Sequence, residues 1–432
     1  MLKLLHPKEL KSPKRKRRGP KVHFMGIEGA GLSAVAKIAA SYGFEVSGCD
    51  LKATGHDISH LKDIDILAVT PAVYFQSAQH PELIEGRRRG ILMTWQEFMG
   101  KYLHSGKFVI CIAGTHGKST TTAMAGQLLQ AAGLDPTVEI GADGSRFGTG
   151  KYFVSEADEY YGNFLHYHPD IVILNNIELD HPEYFGTFEK MLEIYAQFLS
   201  QIKPDGTLIY NIENLGIKKL ISNFKFHSRS ARTFSISNFV PYSINEFPKN
   251  LTLKIPGEHN KANAMGIIKL AEVLKINHEL TNQSLTNFRG IGRRLEELGT
   301  INGITVIDDY ANHPTAFTAN ISAVKEKYPE RDIWAVIEPH TFSRLRAVLP
   351  DLAPALKGAG HIIISKIFAS RETDPGDFTG ADIAKSVPNS LYIPKFEQII
   401  EHLKLKTKNR DVVLVMGSGN SDKLAREILD NL

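Results

Sequence analysis

The sequence is poor in cysteine. Only Cys49 and Cys111 occur in 432 residues, each beside an apolar, strand-like run. At that separation the pair can build neither a disulfide framework nor a cysteine-based metal site between them, and it fits a reducing cytoplasm. Long apolar runs are missing as well. No stretch approaches the ~18 residues needed to span a bilayer, and the N-terminus lacks the extended apolar region and cleavage site of a signal peptide. No membrane insertion is therefore expected. Charge imbalance is small: +4 over the whole chain gives no ground for a nucleic-acid partner. The one dense basic run, within residues 1–20, has no interleaved aromatic residues and reads as a solvated, disordered tail. What is present is globular in kind, 42% hydrophobic and 23% charged. The length exceeds one ordinary core and predicts two or three domains.

Residues 108–120 are the most informative stretch. An apolar, β-favouring run, Phe108–Ala113, breaks at Gly114 into Gly-Thr-His-Gly, then Lys118, Ser119 and a helix-compatible segment, Thr120–Ala132. Strand, tight turn and helix start make a phosphate loop, with backbone N–H groups and the helix N-terminus facing a polyphosphate. Lys118 would reach the β- and γ-phosphates and the Ser119 hydroxyl would ligate Mg²⁺. Ile112 stands where the first glycine of the general pattern belongs. The bland alternative is an ordinary glycine-rich turn before a helix.

An earlier glycine turn, Gly26-Ile27-Glu28-Gly29-Ala30-Gly31, follows the strand Val22–Met25 and opens a helix over Leu32–Tyr42. The next strand, Phe44–Gly48, ends at Asp50. This is a Rossmann-like opening. Its glycine order is G-x-x-G-x-G, so it suits a nucleotide diphosphate without identifying NAD. A nicotinamide oxidoreductase would leave Lys118-Ser119 without a job. Further strands are expected at Ile64–Thr70 and Gly90–Thr94, with Glu82–Arg89 an exposed helix.

Acidic groups then recur at strand ends. Lys151–Ser155 delivers Glu156-Ala157-Asp158-Glu159, and Asp170–Asn175 delivers Asn176-Ile177-Glu178-Leu179-Asp180-His181. Each group alone could be a surface cap; with the phosphate loop they point to a metal–nucleotide centre. Asn214–Asn250 reads as irregular, with short strands. His259 and Asn260 sit at a helix start, as capping groups or as contacts to an adenine. A hairpin turn at Asn302-Gly303 leads to a strand ending in Asp308-Asp309-Tyr310-Ala311-Asn312-His313-Pro314. Trp334–Ile337 leads to Glu338-Pro339-His340-Thr341-Phe342-Ser343-Arg344. Strands at His361–Ser365 and Val412–Val415 complete a third α/β unit.

Taken together, these motifs resemble the Mur ligases, ATP-dependent amide-forming enzymes of peptidoglycan synthesis. The likeness runs from Lys21 onward through residues 26–33, 114–122, 156–159, 176–181, 257–264, 308–315 and 339–344, in the family's order. It implies an α/β protein of three domains: a Rossmann-like N-terminal domain for a UDP-sugar (21–106), a P-loop ATPase (107–291) and a Rossmann-like C-terminal ligase domain (292–432). It implies ATP and Mg²⁺, and an acyl phosphate attacked by an amine. Lys118, Glu156, His181, His340 and Arg344 would be catalytic, with Ser119, Glu156 and His181 around the metal. Gly114, Thr115, His116, Gly117, Lys118, Ser119, Thr120, His259, Asn260, Asn263, Arg293, Asp309 and Tyr310 would bind ATP. Gly29, Ala30, Gly31 and Asp50 would line the UDP-sugar site.

Within the family, Pro339–Arg344 and Phe368–Glu372 look most like the alanine-adding member, implying UDP-N-acetylmuramate and L-alanine as substrates and a cytoplasmic monomer or homodimer. Asn175-Asn176-Ile177-Glu178 resembles the recycling ligase that attaches a whole tripeptide, and a non-catalytic nucleotide-binding regulator stays open. Asn312 departs from the histidine usual in alanine-adding ligases, and Ser119 from the usual threonine. The segment Asn211–Leu251 is short for the family.

Overall fold

The computed structural model describes residues 19–50, 55–76, 79–141, 144–227, 236, 238–370 and 372–432. Most of the basic tail, Arg371 and part of the segment after Asn214 lie outside them. The chain forms two compact units, one ending at Trp95 and the other running from Gln96 to the C-terminus.

The N-terminal unit holds a four-stranded parallel sheet in the order β2-β1-β3-β4: β1 Lys21–Met25, β2 Glu45–Cys49, β3 Ile66–Val69 and β4 Leu92–Thr94. Parallel strands need crossovers, and the helices Ala30–Ser41 and Pro81–Arg89 supply two of them. Gly90, at φ +68°, ends the second helix in the left-handed conformation that glycine adopts without cost.

The second unit begins with a segment that packs on its own middle sheet. Phe98, Met99 and Leu103 are fully buried, and the His104 ring lies against Phe153 and Tyr167. That sheet runs β10-β9-β8-β5-β7-β6, all parallel: β5 Phe108–Ala113, β6 Thr137–Glu139, β7 Tyr152–Ala157, β8 Ile171–Leu174, β9 Thr207–Asn211 and β10 Asn238–Tyr242. The helices Lys118–Ala131 and Glu258–Leu274 cover one face. Met124, Leu128, Met265, Ile267 and Leu270 there join Ile110, Ile112 and Ile173 in a single apolar core.

The third sheet has the order β11-β12-β16-β13-β14-β15: β11 Glu296–Ile301, β12 Ile304–Asp309, β13 Ile333–Ile337, β14 His361–Ile364, β15 Ser390–Tyr392 and β16 Val412–Met416. Its one antiparallel pair is the β11–β12 hairpin, turning at Asn302 and Gly303, both at positive φ. Alternation along the strands explains why the sheet is buried on both faces. Ile333, Ala335 and Ile337 face one core with Val412, Leu414 and Met416, while Trp334, Val336, Val413 and Val415 face the other.

One expectation holds only in part in the middle of the chain: within residues 214–250, Asn238–Tyr242 is the short strand expected there. Leu215–His227 is a helix rather than short strands. Ile217, Leu220 and Ile221 bury one face at helical spacing, and the Asn214 carboxamide accepts the Ile217 N–H at the helix start.

Candidate active site

The phosphate loop forms as its sequence requires. Strand β5 ends at Ala113, Gly114 takes φ +140° and Gly117 φ +79°, and the helix starts at Lys118, two residues ahead of the expected boundary. Lys118, Ser119 and Thr120 therefore lie in its first turn, where N–H groups have no intrahelical acceptor. A Cβ on Gly117 would stand 2.5 Å from Asn263 Oδ1 and 3.1 Å from Asn175 Nδ2, so only glycine fits beneath the loop. The neighbouring asparagines brace it. Asn175 donates to Thr121 Oγ1 at 3.0 Å; Asn176 accepts from the His116 N–H and donates to the His116 carbonyl. These are supporting roles: both asparagines hold the loop in place. Thr115 Oγ1 donates to the Glu178 carbonyl and accepts its N–H.

Lys118 Nζ contacts Gly114 O at 2.6 Å and Glu159 Oε2 at 2.9 Å. Burial alone would lower its pKa, but the Glu159 and Asp158 carboxylates outweigh that and keep the ammonium charged. Glu156, the expected metal ligand, is near enough for its charge to act on Lys118 but is not one of the clustered ligand groups. Strand β7 continues through Ala157, and Glu156 Oε1 accepts the Gly141 N–H at 2.9 Å. It is Glu159 that joins Asp180 and His181, their ligand atoms all within 4.8 Å of one another.

Strand β8 delivers that second pair. Asp180 accepts the N–H of His181, which sits at φ +52°, a conformation costly for a residue with a Cβ. The His181 ring lies 4.2 Å from Tyr160, and its Nδ1 is 3.1 Å from Glu183 Oε1. Burial would lower the His181 pKa; the Glu183 hydrogen bond and the Asp180 charge raise it instead. Asp180 is itself held by Arg344, with Nε and Nη2 both 2.9 Å from Oδ1. Burial would raise the Asp180 carboxyl, yet the His181 and Arg344 charges hold it below the usual carboxylate range. His340 Nδ1 is 3.3 Å from Arg344 Nη1; burial first and that guanidinium second lower its pKa to about 4, so it is neutral near pH 7.

The third sheet closes on the loop from the other side. Arg294 Nη2 donates to Ser119 Oγ at 3.3 Å, Thr315 Oγ1 to Glu178 Oε2 at 2.7 Å, and the His313 and His116 rings are 5.2 Å apart. The guanidiniums of Arg293 and Arg294 both lie over the Tyr310 ring, at 4.8 and 4.9 Å. Glu159 and Asp180, quoted in the motifs but not selected, and Arg294, which the motif reading left out, thus stand at the loop. Asp309 and Asn260 are brought near but are already engaged. Asp309 accepts the N–H groups of Leu295 and Ala311, and Asn260 donates to the Pro256 carbonyl. His259 is buried, which lowers its pKa to about 4. Asn312 donates to Ser418 Oγ at 2.9 Å.

Gly29, Ala30, Gly31 and Asp50 belong to the N-terminal unit. Gly26, at φ +90°, makes the turn, its N–H and that of Ile27 donating to the Cys49 carbonyl. Gly29 caps the helix that Ala30 and Gly31 begin, and Asp50 Oδ2 accepts the Glu28 N–H at 3.4 Å. Among the described residues, no helix is long and apolar enough to cross a membrane.

Comparison with known proteins matches the same three regions. Residues 21–105 fit the family model "Mur ligase family, catalytic domain", 112–271 the Mur ligase middle domain, and 293–419 the "Mur ligase, glutamate ligase domain". The UDP-N-acetylmuramate–L-alanine ligase of Clostridium acetobutylicum is 33% identical over 95% of this chain and 97% of its own length. That of Acetivibrio thermocellus is 31% identical over 94% and 95%. Among solved structures, the UDP-N-acetylmuramate–alanine ligase of Thermotoga maritima superposes with TM-score 0.76 at 22% identity, covering 95% of this chain and 98% of that one. The Psychrobacter arcticus murein peptide ligase gives TM-score 0.67 at 22% identity, over 96% and 98%. With three family models in sequence along it and relatives at this identity along nearly its whole length, the chain belongs to the Mur ligase family.

Proposed function

We propose that this chain joins L-alanine to the lactoyl carboxylate of UDP-N-acetylmuramate at the expense of ATP, in peptidoglycan precursor synthesis. The observation that carries this is the convergence of Lys118, Glu159, Asp180, His181 and Arg344 on one phosphate loop, in a chain whose full-length relatives bear the name of that reaction. The N–H groups of the helix start and the Lys118 ammonium bind and neutralise the polyphosphate. Arg293, Arg294 and Tyr310 hold the nucleotide from the third domain, with His259, Asn260 and Asn263 at the adenine. Gly29, Ala30, Gly31 and Asp50 receive the UDP-sugar in a domain spanning 21–106, ahead of domains 107–291 and 292–432.

The donor set fits Mg²⁺: two carboxylates, a hydroxyl and an imidazole, with Glu159, Asp180 and His181 already within ligand distance of one another and Ser119 in the loop's first turn. Bound there, Mg²⁺ would offset phosphate charge and align donor and acceptor. Arg344 orients Asp180, and neutral His340 offers a hydrogen bond without adding charge. The substrate carboxylate displaces ADP from the γ-phosphorus, giving an acyl phosphate. The alanine amine then attacks the acyl carbon, phosphate leaves, and the nitrogen gives up its proton. A cytoplasmic location accompanies this reading.

The test is phosphate release with Mg·ATP and UDP-N-acetylmuramate, comparing L-alanine, glycine, L-serine and the L-alanyl-γ-D-glutamyl-diaminopimelate tripeptide. Release with L-alanine and a product of the mass of UDP-N-acetylmuramoyl-L-alanine supports the proposal. Release with the tripeptide alone replaces it with the recycling reaction. Silence with every acceptor, despite ATP binding, leaves a regulator.

A further inference from the structure

The N-terminal unit carries a second cluster of reactive side chains that the ligase chemistry does not use. His23 lies on β1, Cys49 ends β2, His60 sits on the single helical turn Ile58–Leu61, and Glu82 is in the first turn of the helix Pro81–Arg89. A ligand atom from each of the four lies within 4.8 Å of every other. Three of the four are closed off, with His23 3% exposed, Cys49 1% and Glu82 0%, while His60 is half-buried at the rim. Three of the converging atoms, His23 Nε2, His60 Nδ1 and Glu82 Oε2, are buried without a hydrogen bond, although His60 Nδ1 stands 3.2 Å from Glu82 Oε1.

Two more imidazoles form an outer layer. His56 Nδ1 is 3.0 Å from Cys49 Sγ and 3.7 Å from Glu82 Oε2, and His80 Nδ1 is 3.7 Å from the same oxygen. The ligand candidates are themselves oriented. His23 Nδ1 meets Ser47 Oγ at 2.9 Å, and Glu82 Oε1 accepts the Asp57 N–H at 3.2 Å. A fully buried carboxylate among imidazole nitrogens and sulfur, with no Lys or Arg ion pair among the described residues, is an arrangement that a cation resolves.

We propose that His23, Cys49, His60 and Glu82 bind one zinc-class divalent ion in a closed structural site. Sulfur, two nitrogens and a carboxylate oxygen are the donors such ions take, whereas Mg²⁺ and Ca²⁺ prefer oxygen throughout. His56 and His80 hold the ligands from outside. The ion ties two strands to the turn Ile58–Leu61 and the helix Pro81–Arg89. Because the Cys49 carbonyl accepts the Gly26 and Ile27 N–H groups, it also anchors the glycine turn.

The experiment uses the full-length protein, purified without chelator for metal analysis, then stripped and titrated with Co²⁺. One equivalent of zinc per chain is expected, with a near-ultraviolet thiolate-to-cobalt charge-transfer band that zinc displaces. Cys49→Ser should abolish that band, His80→Ala should weaken zinc binding about tenfold or more, and zinc should raise the melting temperature of the parent but not of Cys49→Ser. The other thiol, Cys111, has Ser155 as its hydrogen-bond partner and belongs to no ligand cluster among the described residues, so the band reports Cys49 even where Cys49→Ser fails to fold. Failure to retain or bind zinc, or cobalt binding without a thiolate band, would overturn the site. Either result leaves the ligase reaction to be judged on its own assay.

Discussion

Both units gather buried carboxylates among imidazoles, and they balance the charge differently. Around the phosphate loop, Glu159 has Lys118, Asp180 has Arg344, and Glu178 has Thr315 and His116. In the N-terminal unit, Glu82 has imidazoles, a thiol and the Asp57 N–H around it, and no Lys or Arg ion pair among the described residues. A carboxylate paired with a side-chain cation can exchange it when a polyphosphate arrives: in the proposed reaction Lys118 would turn to phosphate, which would free Glu159 for a metal. Glu82 has no such partner to release. One region is built for ions that come and go, the other for an ion that stays.

The sharpest way to break this comparison is Lys118→Ala. We expect turnover to fall about 10²–10³-fold, read as phosphate release, and stability to drop by about 3–5 kcal/mol because Glu159 is left buried and alone. Adding Glu159→Gln should recover most of the stability and none of the turnover; recovery of both would make the pair merely structural. Arg344→Lys keeps a charge but loses the two-pronged grip on Asp180, which should cost about 1–3 kcal/mol in denaturant unfolding. Removing zinc with a chelator that spares Mg²⁺ should lower the melting temperature by a few degrees while ATP affinity holds.

Asp308 sharpens the contrast as an exception inside the ligase region. Both its oxygens are buried without hydrogen bonds, with Arg293 Nε only at 3.5 Å, and burial raises its pKa to about 7. Its folded pKa lies above the unfolded value of about 3.9, so the native state binds more protons between them. Stability therefore falls as pH rises from about 4 to about 7, then levels off. Asp308→Asn should flatten that slope, seen as a smaller loss of melting temperature between pH 5 and pH 8. The smallest effect is expected from Asn312→Ala, which removes one hydrogen bond to Ser418 worth about 0.5–1.5 kcal/mol with turnover unchanged.

The phosphate loop was legible because its signals are local. An apolar run broken by Gly114 sets the bounds of β5, and Asn302-Gly303 likewise announces its own hairpin. Glu159 was obscured because alternation does not say where a strand stops: β7 runs two residues past the expected end, so Glu156 stays on the sheet and the later acid reaches Lys118. Arg294 was masked by its neighbour, since both arginines flank Tyr310 and nothing in the pair tells which reaches Ser119. The N-terminal cluster was invisible for a different reason. Cysteine was weighed only against cysteine, while the partners of Cys49 are spread from His23 to Glu82 and meet only when a parallel sheet, a helical turn and a helix are in place.

The contacts between the middle and C-terminal sheets carry a kinetic consequence. Arg344–Asp180, Arg294–Ser119, Thr315–Glu178 and Lys261–Glu326 join charges and hydroxyls, and a release of spent nucleotide that parts the two sheets would break each of them. Dissolved ions screen exposed charges over about 8 Å at physiological ionic strength, and they weaken the exposed Lys261–Glu326 pair before they touch the buried Arg344–Asp180 pair or the apolar cores on either side. If escape of ADP sets the pace, moderate salt would speed the catalytic cycle, and more viscous solvent would slow it.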